Sequence, residues 1–112
     1  MASDFRSMTR FSRFDAIHLI RFSRRIMRVC GLDVKRAPKK EIQAKILIVI
    51  PRVFGPAVQR NLLRRRLKHI FFEKYAVSSA YDFVFFASKQ AACLSFEDLE
   101  KIFERVVTVP TE

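Results

Sequence analysis

The chain has 112 residues, half of them hydrophobic and twelve of them phenylalanine, and a formal net charge of +11. This length supports one hydrophobic core, so we expect a single domain over 1–112, and the apolar content argues against intrinsic disorder. Residues 1–72 hold 18 Lys or Arg against 4 Asp or Glu, whereas residues 73–112 hold 4 against 7. A basic surface with a definite location favours a nucleic-acid partner.

The chain opens with a basic segment and a short helix. Residues 1–13 are polar and basic and are predicted to form a flexible arm. A helix is expected over 15–22. Phe14, Ile17 and Ile20 recur every three residues, and this spacing gives the helix an apolar side.

The next segments favour strands. Residues 25–34 predict one strand of undetermined register, because apolar residues fall on both parities. Residues 35–41 hold a proline and paired lysines, which predict a turn with a basic tip. Residues 44–50 are rich in β-branched side chains and predict a central strand. The apolar run 46–50 is far too short to cross a bilayer, so we expect no membrane partner.

Residues 56–74 predict a long helix with two stripes at helical spacing. The apolar stripe, which would face the core, consists of Leu63, Leu67, Ile70 and Phe71. The cationic stripe consists of Asn61, Arg64, Arg65 and Lys68, with Arg60 at its edge. The centres of the two stripes lie roughly a third of a turn apart, so the helix can bury one side and present the other.

The cationic stripe is not offset by acids of the same helix. No Asp or Glu occurs between Glu41 and Glu73, and like charges at this spacing cost a helix about 0.2–0.5 kcal/mol per pair. A solvated basic face is the plainer interpretation, and a basic amphipathic helix could also lie on an anionic membrane. The density of cations, beside an apolar side that fits an internal core, favours a surface that binds polyphosphate.

The C-terminal part predicts a strand and a capped helix. Residues 81–87 are almost continuously apolar, as in a strand covered on both faces. Ser95 is a good N-cap for the last helix, with Glu97 and Asp98 in its first turn. The predicted buried side of that helix is Leu99, Ile102, Phe103 and Val106. We therefore predict an α+β fold with a mixed sheet packed with helices, in the order α-β-β-α-β-α.

The sequence offers no self-contained active site. His18 and His69 are the two histidines, and neither has metal-ligand spacing. A protein nuclease built on the acids of 97–104 is the weakest interpretation. Cys30 and Cys93 lie far apart without a secretory leader, so we expect two small buried hydrophobes and a cytoplasmic, reduced setting.

Two blocks of sequence carry a family resemblance. The first is residues 55–68, GPAVQRNLLRRRLK, a Gly-containing turn followed by a helix with an Ala-Val-x-Arg-Asn run. The second is residues 82–89, DFVFFASK, followed by 94–97, LSFE. With this spacing the two blocks resemble the protein subunit of bacterial ribonuclease P, and residues 12–34 resemble it loosely.

The resemblance implies a ribosomal-protein-like fold with a left-handed βαβ crossover at the long helix. It implies two RNA partners: the catalytic RNA of ribonuclease P, and precursor tRNA, whose 5′ leader that RNA removes with bound Mg²⁺. No catalytic residue and no metal site is then expected in the protein. The implied RNA-binding residues are Arg60, Asn61, Arg64, Arg65, Lys68 and Arg52. A cleft for the leader is implied between the first helix and the sheet, with Phe14, His18 and Arg28 as candidates.

The chain also departs from the family pattern. Pro51, Pro56 and Ser88 stand where basic or polar residues are usual, and His69 stands where Glu is frequent. The alternative function is a structural RNA-binding protein of ribosomal type without a processing role.

Overall fold

The computed structural model describes residues 11–76 and 78–110, so most of the predicted arm, 1–13, lies outside the described residues. The described residues form three helices: α1 (Arg13–Phe22), α2 (Ala57–Lys74) and α3 (Phe96–Val107). They form four strands: β1 (Arg24–Val29), β2 (Leu32–Pro38), β3 (Ile46–Val49) and β4 (Tyr81–Ala87). Short 3₁₀ helices, Arg52–Phe54 and Lys89–Cys93, precede α2 and α3. None of these helices combines the length and apolar character that a membrane span requires.

The four strands form one mixed sheet in the order β1-β2-β4-β3. β2 pairs antiparallel with β1 and with β4. β3 pairs parallel with β4, so α2 is the crossover between two neighbouring parallel strands. The predicted α+β class with a mixed sheet is confirmed, and the left-handed sense of the crossover stays a prediction.

The prediction of one strand over 25–34 is wrong, because a β-hairpin, 24–38, covers this segment. The predicted turn over 35–41 starts too early, because β2 continues to Pro38 and only residues 39–41 lie in the connection to β3. Cys30 (φ 49°) and Gly31 (φ 84°) form the turn between β1 and β2, and positive φ at both central residues is the geometry that suits a two-residue hairpin. Apolar residues fall on both parities because two strands meet there. The element order is therefore α-β-β-β-α-β-α, one strand more than predicted.

The main core lies between one face of the sheet and helices α2 and α3. The predicted apolar stripe of α2 and the predicted buried side of α3 are both confirmed, residue for residue. Phe103 of α3 fills the centre, with its ring centroid 4.9 Å from that of Phe85 in β4 and 5.6 Å from that of Tyr75. The predicted N-cap is also confirmed, since Ser95 and Asp98 form a reciprocal capping box.

Helix α1 lies against the opposite face of the sheet. Lys35 Nζ, on that face of β2, donates to the Ile20 carbonyl at 2.6 Å. Leu19 is the one residue of α1 that is buried. The predicted apolar side is wrong, because Phe14 and Ile17 are exposed and Leu19 lies about 200° around the helix from Ile17.

The two cysteines are exposed, contrary to the prediction that both are buried. Cys30 belongs to the hairpin turn, and Cys93 ends the 3₁₀ helix before α3. Both positions are connections between elements, which run over the protein surface.

Candidate nucleic-acid interface

The cationic stripe of α2 faces outward beside the buried stripe. Asn61 and Arg65 are exposed, and Arg60, Arg64 and Lys68 are half-buried. All five side chains therefore reach solvent from a helix whose other side is fixed in the core. The first turn of α2 contains no acid, so its free N–H groups and positive dipole end add to the attraction for an anion.

Hydrogen bonds orient two of the arginines. Arg64 Nη1 donates to Asn61 Oδ1 at 3.0 Å, so the amide holds this guanidinium along the helix. Arg60 Nε donates to the Gly55 carbonyl at 3.1 Å, which ties the start of the stripe to the turn before α2. Asn61 thus positions a cation, in addition to the ligand contacts that its own amide can make.

Within the part of the chain that the structure describes, the cations of the stripe have no acidic partner. Among the described residues, no carboxylate oxygen lies within 4.0 Å of a nitrogen of Arg60, Arg64, Arg65 or Lys68. Burial lowers the pKa of Lys68, and the positive charge of Arg64 lowers that pKa further. A bound anion would reverse the second effect and favour the charged amine. The electrostatics of the free protein therefore favour an anionic ligand on this surface.

Three further residues named from the sequence, Arg52, His69 and Ser88, lie outside the cationic stripe. Arg52 is exposed in the 3₁₀ helix that precedes α2. The His69 ring lies 6.0 Å from that of Phe96, so it belongs to the packing of α2 against α3. Ser88 Oγ donates to the Gly31 carbonyl at 3.1 Å, which links the end of β4 to the hairpin turn.

Helix α1 displays a row of aromatic rings along one side. The Phe14 and His18 centroids lie 6.0 Å apart, and the His18 and Phe22 centroids lie 4.6 Å apart. Phe14 is 72% exposed and Phe22 is 63% exposed, so neither ring belongs to the core. An exposed aromatic row is suited to stacking on unpaired bases.

A cavity of about 200 Å³ lies between α1 and the sheet, and we call it the α1 cleft. Its lining residues come from α1 and the segment before it, the end of β2, the β2–β3 connection and the start of β4: Phe11, Asp15, His18, Leu19, Phe22, Ala37, Pro38, Lys40, Glu41, Gln43, Lys45 and Asp82. Lys40 Nζ lies 2.9 Å from His18 Nδ1, at the mouth of the cleft.

A buried carboxyl lies in the wall of the α1 cleft. Burial raises the pKa of Asp82, although the Lys45 N–H, which donates to its Oδ1 at 2.7 Å, acts in the opposite direction. The cleft therefore combines an acceptor with aromatic walls and with the cations of Lys40 and Lys45, of which Lys45 Nζ lies 3.0 Å from Glu41 Oε2. Such a lining can contact both the bases and the phosphates of a single strand.

The structure brings together two of the three cleft candidates. Phe14 and His18 are neighbours on α1, and His18 lines the cleft. Arg28 instead lines a separate concavity at the hairpin end of the sheet, where its Nη2 lies 3.5 Å from Asp33 Oδ2. Phe22 was not among the predicted cleft residues, although it lies four residues after His18 and therefore on the same side of α1.

No group of three His, Cys, Asp or Glu side chains in the described ranges is arranged to hold a metal ion.

A family model described as Ribonuclease P matches residues 5–109 of this chain. The chain belongs to the ribonuclease P protein family. The ribonuclease P protein component of Borrelia hermsii is 31% identical over 85 residues, which cover 74% of this chain and 75% of that protein. The component of Borrelia duttonii is 33% identical over 66 residues, covering 57% and 58%.

Solved structures of the ribonuclease P family share the fold. The protein from Thermotoga maritima has a TM-score of 0.77 at 18% identity, covering 93% of this chain and 98% of that one. A Staphylococcus aureus ribonuclease P protein, a mutant with defective mRNA degradation activity, has a TM-score of 0.77 at 19% identity, covering 93% and 88%. The resemblance drawn from residues 55–68, 82–89 and 94–97 is thereby confirmed.

Proposed function

We propose that this chain is the protein subunit of ribonuclease P that binds the catalytic RNA and the 5′ leader of precursor tRNA, and so promotes endonucleolytic maturation of the tRNA 5′ end. The observation that carries the proposal is the cationic stripe of α2. It is solvent-facing, it has no acidic partner among the described residues, and it belongs to a chain of the ribonuclease P family.

The stripe is assigned to the catalytic RNA. Arg60, Arg64, Arg65 and Lys68 would neutralise its phosphates, and Arg52 would extend the contact ahead of the helix. Neutralised phosphates repel each other less, so a folded RNA needs less Mg²⁺ to hold the same shape. Hydrolysis is assigned to the RNA, with Mg²⁺ bound through it, and we expect the complex to be cytoplasmic.

The α1 cleft is assigned to the leader. Unpaired bases stack on aromatic rings whatever their sequence, and Phe14 and His18 present such rings beside the cleft. Lys40 and Lys45 would contact the phosphates of the strand. This arrangement gives affinity for a single strand without requiring a particular sequence.

Cleavage of precursor tRNA in a low concentration of Mg²⁺ tests the proposal. The substrate is incubated with the chain alone, with the catalytic RNA alone, and with both. We expect cleavage to be faster with both than with the RNA alone, and none with the chain alone. Cleavage by the chain alone would mean a protein nuclease. Tight binding to the catalytic RNA without faster cleavage would favour the structural, ribosomal-type function.

Asn61→Ala should reduce cleavage by the complete enzyme more at low Mg²⁺ than at high Mg²⁺. The substitution removes the acceptor of the 3.0 Å bond from Arg64 Nη1, so the guanidinium loses its orientation along with any contact that the amide itself makes. Excess metal can replace part of the lost stabilisation of the RNA. The measurement is a Mg²⁺ titration of precursor-tRNA cleavage with the same catalytic RNA.

Gln59→Ala is the matched control for Asn61→Ala. It removes an amide from an exposed position of the same helix, about 200° around the helix axis from Asn61, and should leave the Mg²⁺ titration unchanged. If Asn61→Ala gave the wild-type titration curve, Asn61 would have no role in stabilising the RNA.

A further inference from the structure

The imidazole ring of His18 makes a polar contact that fixes which of its nitrogens carries the proton. Lys40 Nζ lies 2.9 Å from His18 Nδ1. A lysine ammonium has donors and no acceptor, so Nδ1 accepts this hydrogen bond and carries no proton. A neutral imidazole whose Nδ1 is an acceptor carries its proton on Nε2. The contact is incompatible with the imidazolium form, in which two cationic N–H groups would face each other.

The Nε2–H group of His18 is left without a protein partner. Within residues 11–76 and 78–110, the His18 ring makes no hydrogen bond besides the one with Lys40. His18 is half-buried and lines the α1 cleft, so water reaches this donor only in part. A half-buried donor gains from an acceptor that a ligand brings into the cleft.

The neighbouring rings of α1 leave the edge of His18 for such a contact. The Phe22 centroid lies 4.6 Å from that of His18 at an interplanar angle of 40°, and the Phe14 centroid lies 6.0 Å away at 34°. Residues four positions before and after His18 are its neighbours along the helix surface, so the two phenyl rings flank it on opposite sides. His18 therefore offers, at its ring edge, a hydrogen bond that neither phenylalanine can make.

We propose that His18 is a hydrogen-bond donor to the RNA strand in the α1 cleft, and that Lys40 is the positioning residue that holds it in the Nε2–H form. The ligand is an unpaired nucleotide, and the accepting atom is an oxygen of its base or of its phosphate. The identity of the strand as the precursor-tRNA leader rests on the proposed function. The donor role of His18 toward single-stranded RNA does not rest on it.

Long-range ¹H–¹⁵N NMR of the full chain, in alkaline buffer that keeps imidazole neutral, tests the tautomer. We expect the proton on Nε2 of His18 in the wild-type chain, and a weaker preference for that nitrogen in Lys40→Ala. Lys39→Ala is the matched control, because Lys39 Nζ donates to the Ile42 carbonyl at 3.0 Å, and it should leave the His18 signals unchanged. A proton on Nδ1 in the wild-type chain, or wild-type His18 signals in Lys40→Ala, would overturn the role of Lys40.

Binding of an octamer of uridine, followed by fluorescence anisotropy, tests the donor itself. His18→Phe keeps an aromatic ring and removes Nε2–H, so it should weaken binding by about three- to tenfold, as expected for one lost hydrogen bond. His69→Phe makes the same change at an exposed position of α2 and should bind like the wild-type chain. Equal affinity of His18→Phe and the wild-type chain for the octamer would mean that His18 donates no hydrogen bond to RNA.

An octamer of ribose phosphate without bases shows which oxygen accepts the hydrogen bond. If His18→Phe weakens binding of the uridine octamer alone, the acceptor is a base carbonyl. If it weakens binding of both octamers, the acceptor is a phosphate oxygen.

These measurements separate the inference from the proposed function. If His18→Phe binds the uridine octamer like the wild-type chain while the wild-type chain speeds cleavage by the catalytic RNA, the donor role fails and the proposed function stands. If His18→Phe weakens binding of the octamer while the wild-type chain leaves cleavage unchanged, the donor role stands and the proposed function fails.

Discussion

Replacing Leu67 with alanine should lower the free energy of unfolding by about 2–5 kcal/mol. Leu67 is 0% exposed, in the middle of the buried stripe of α2. Its loss removes apolar contacts and leaves a cavity between the helix and the sheet, which the surrounding close-packed side chains can fill only partly. The measurement is urea unfolding of the free protein, followed by circular dichroism.

Leu62→Ala is the matched control, because it makes the same chemical change on the same helix. Leu62 is 37% exposed, so its replacement by alanine should lower the free energy of unfolding clearly less than the replacement of Leu67. Equal stability of Leu67→Ala and the parent protein would mean that α2 is rotated about its axis. The cationic stripe would then point elsewhere, so this stability measurement also tests the site.

The parts of the fold that the sequence predicts well have strong patterns of their own. The two stripes of α2 and the capped, amphipathic α3 are set by helical periodicity, which survives in any tertiary context. Both ends of strand β4, Tyr81–Ala87, are predicted correctly, because a central strand covered on both faces is apolar at nearly every position.

The sequence does not predict the β1–β2 hairpin, because the features that specify it are not local in the sequence. Cys30-Gly31 is not among the common pairs for a type I′ turn, which favours Asn or Asp before Gly. Strand β2 ends at Pro38, directly before Lys39 and Lys40, and this proline and the paired lysines predicted a turn. Arg36 can be buried there because its donors meet carbonyls more than 70 positions away in the sequence. No local pattern contains that contact.

The two parts of the candidate site also differ in how far the sequence predicts them. The cationic stripe lies on one helix, so its spacing alone predicts it. The α1 cleft is assembled from α1, a connection and two strands, so His18 was found but Lys40 and Asp82 were not. The apolar side of α1 was predicted from a spacing of three residues, whereas the aromatic row has a spacing of four and the buried residue, Leu19, belongs to neither set.

The double substitution Arg64→Ala, Arg65→Ala should weaken binding to the catalytic RNA strongly while changing the thermal midpoint little. Each lost phosphate contact should lower the slope of log K against log salt by about 0.7–0.9, hence by about 1.4–1.8 for the pair. Stability should hold because both side chains point away from the buried stripe and neither has an acidic partner among the described residues.

The pKa of the neighbouring Lys68 provides an independent check on this double variant. The charge of Arg64 is one of the two causes that lower the pKa of Lys68, so removing it should raise that pKa in the free protein, as NMR can detect. Lys101→Ala, Arg105→Ala removes two exposed cations from α3 and controls for net charge. If the two double variants lowered the salt slope equally, RNA affinity would depend on overall charge, and the stripe would be a solvated basic face. A loss confined to Arg64 and Arg65 requires phosphates that contact this side of α2.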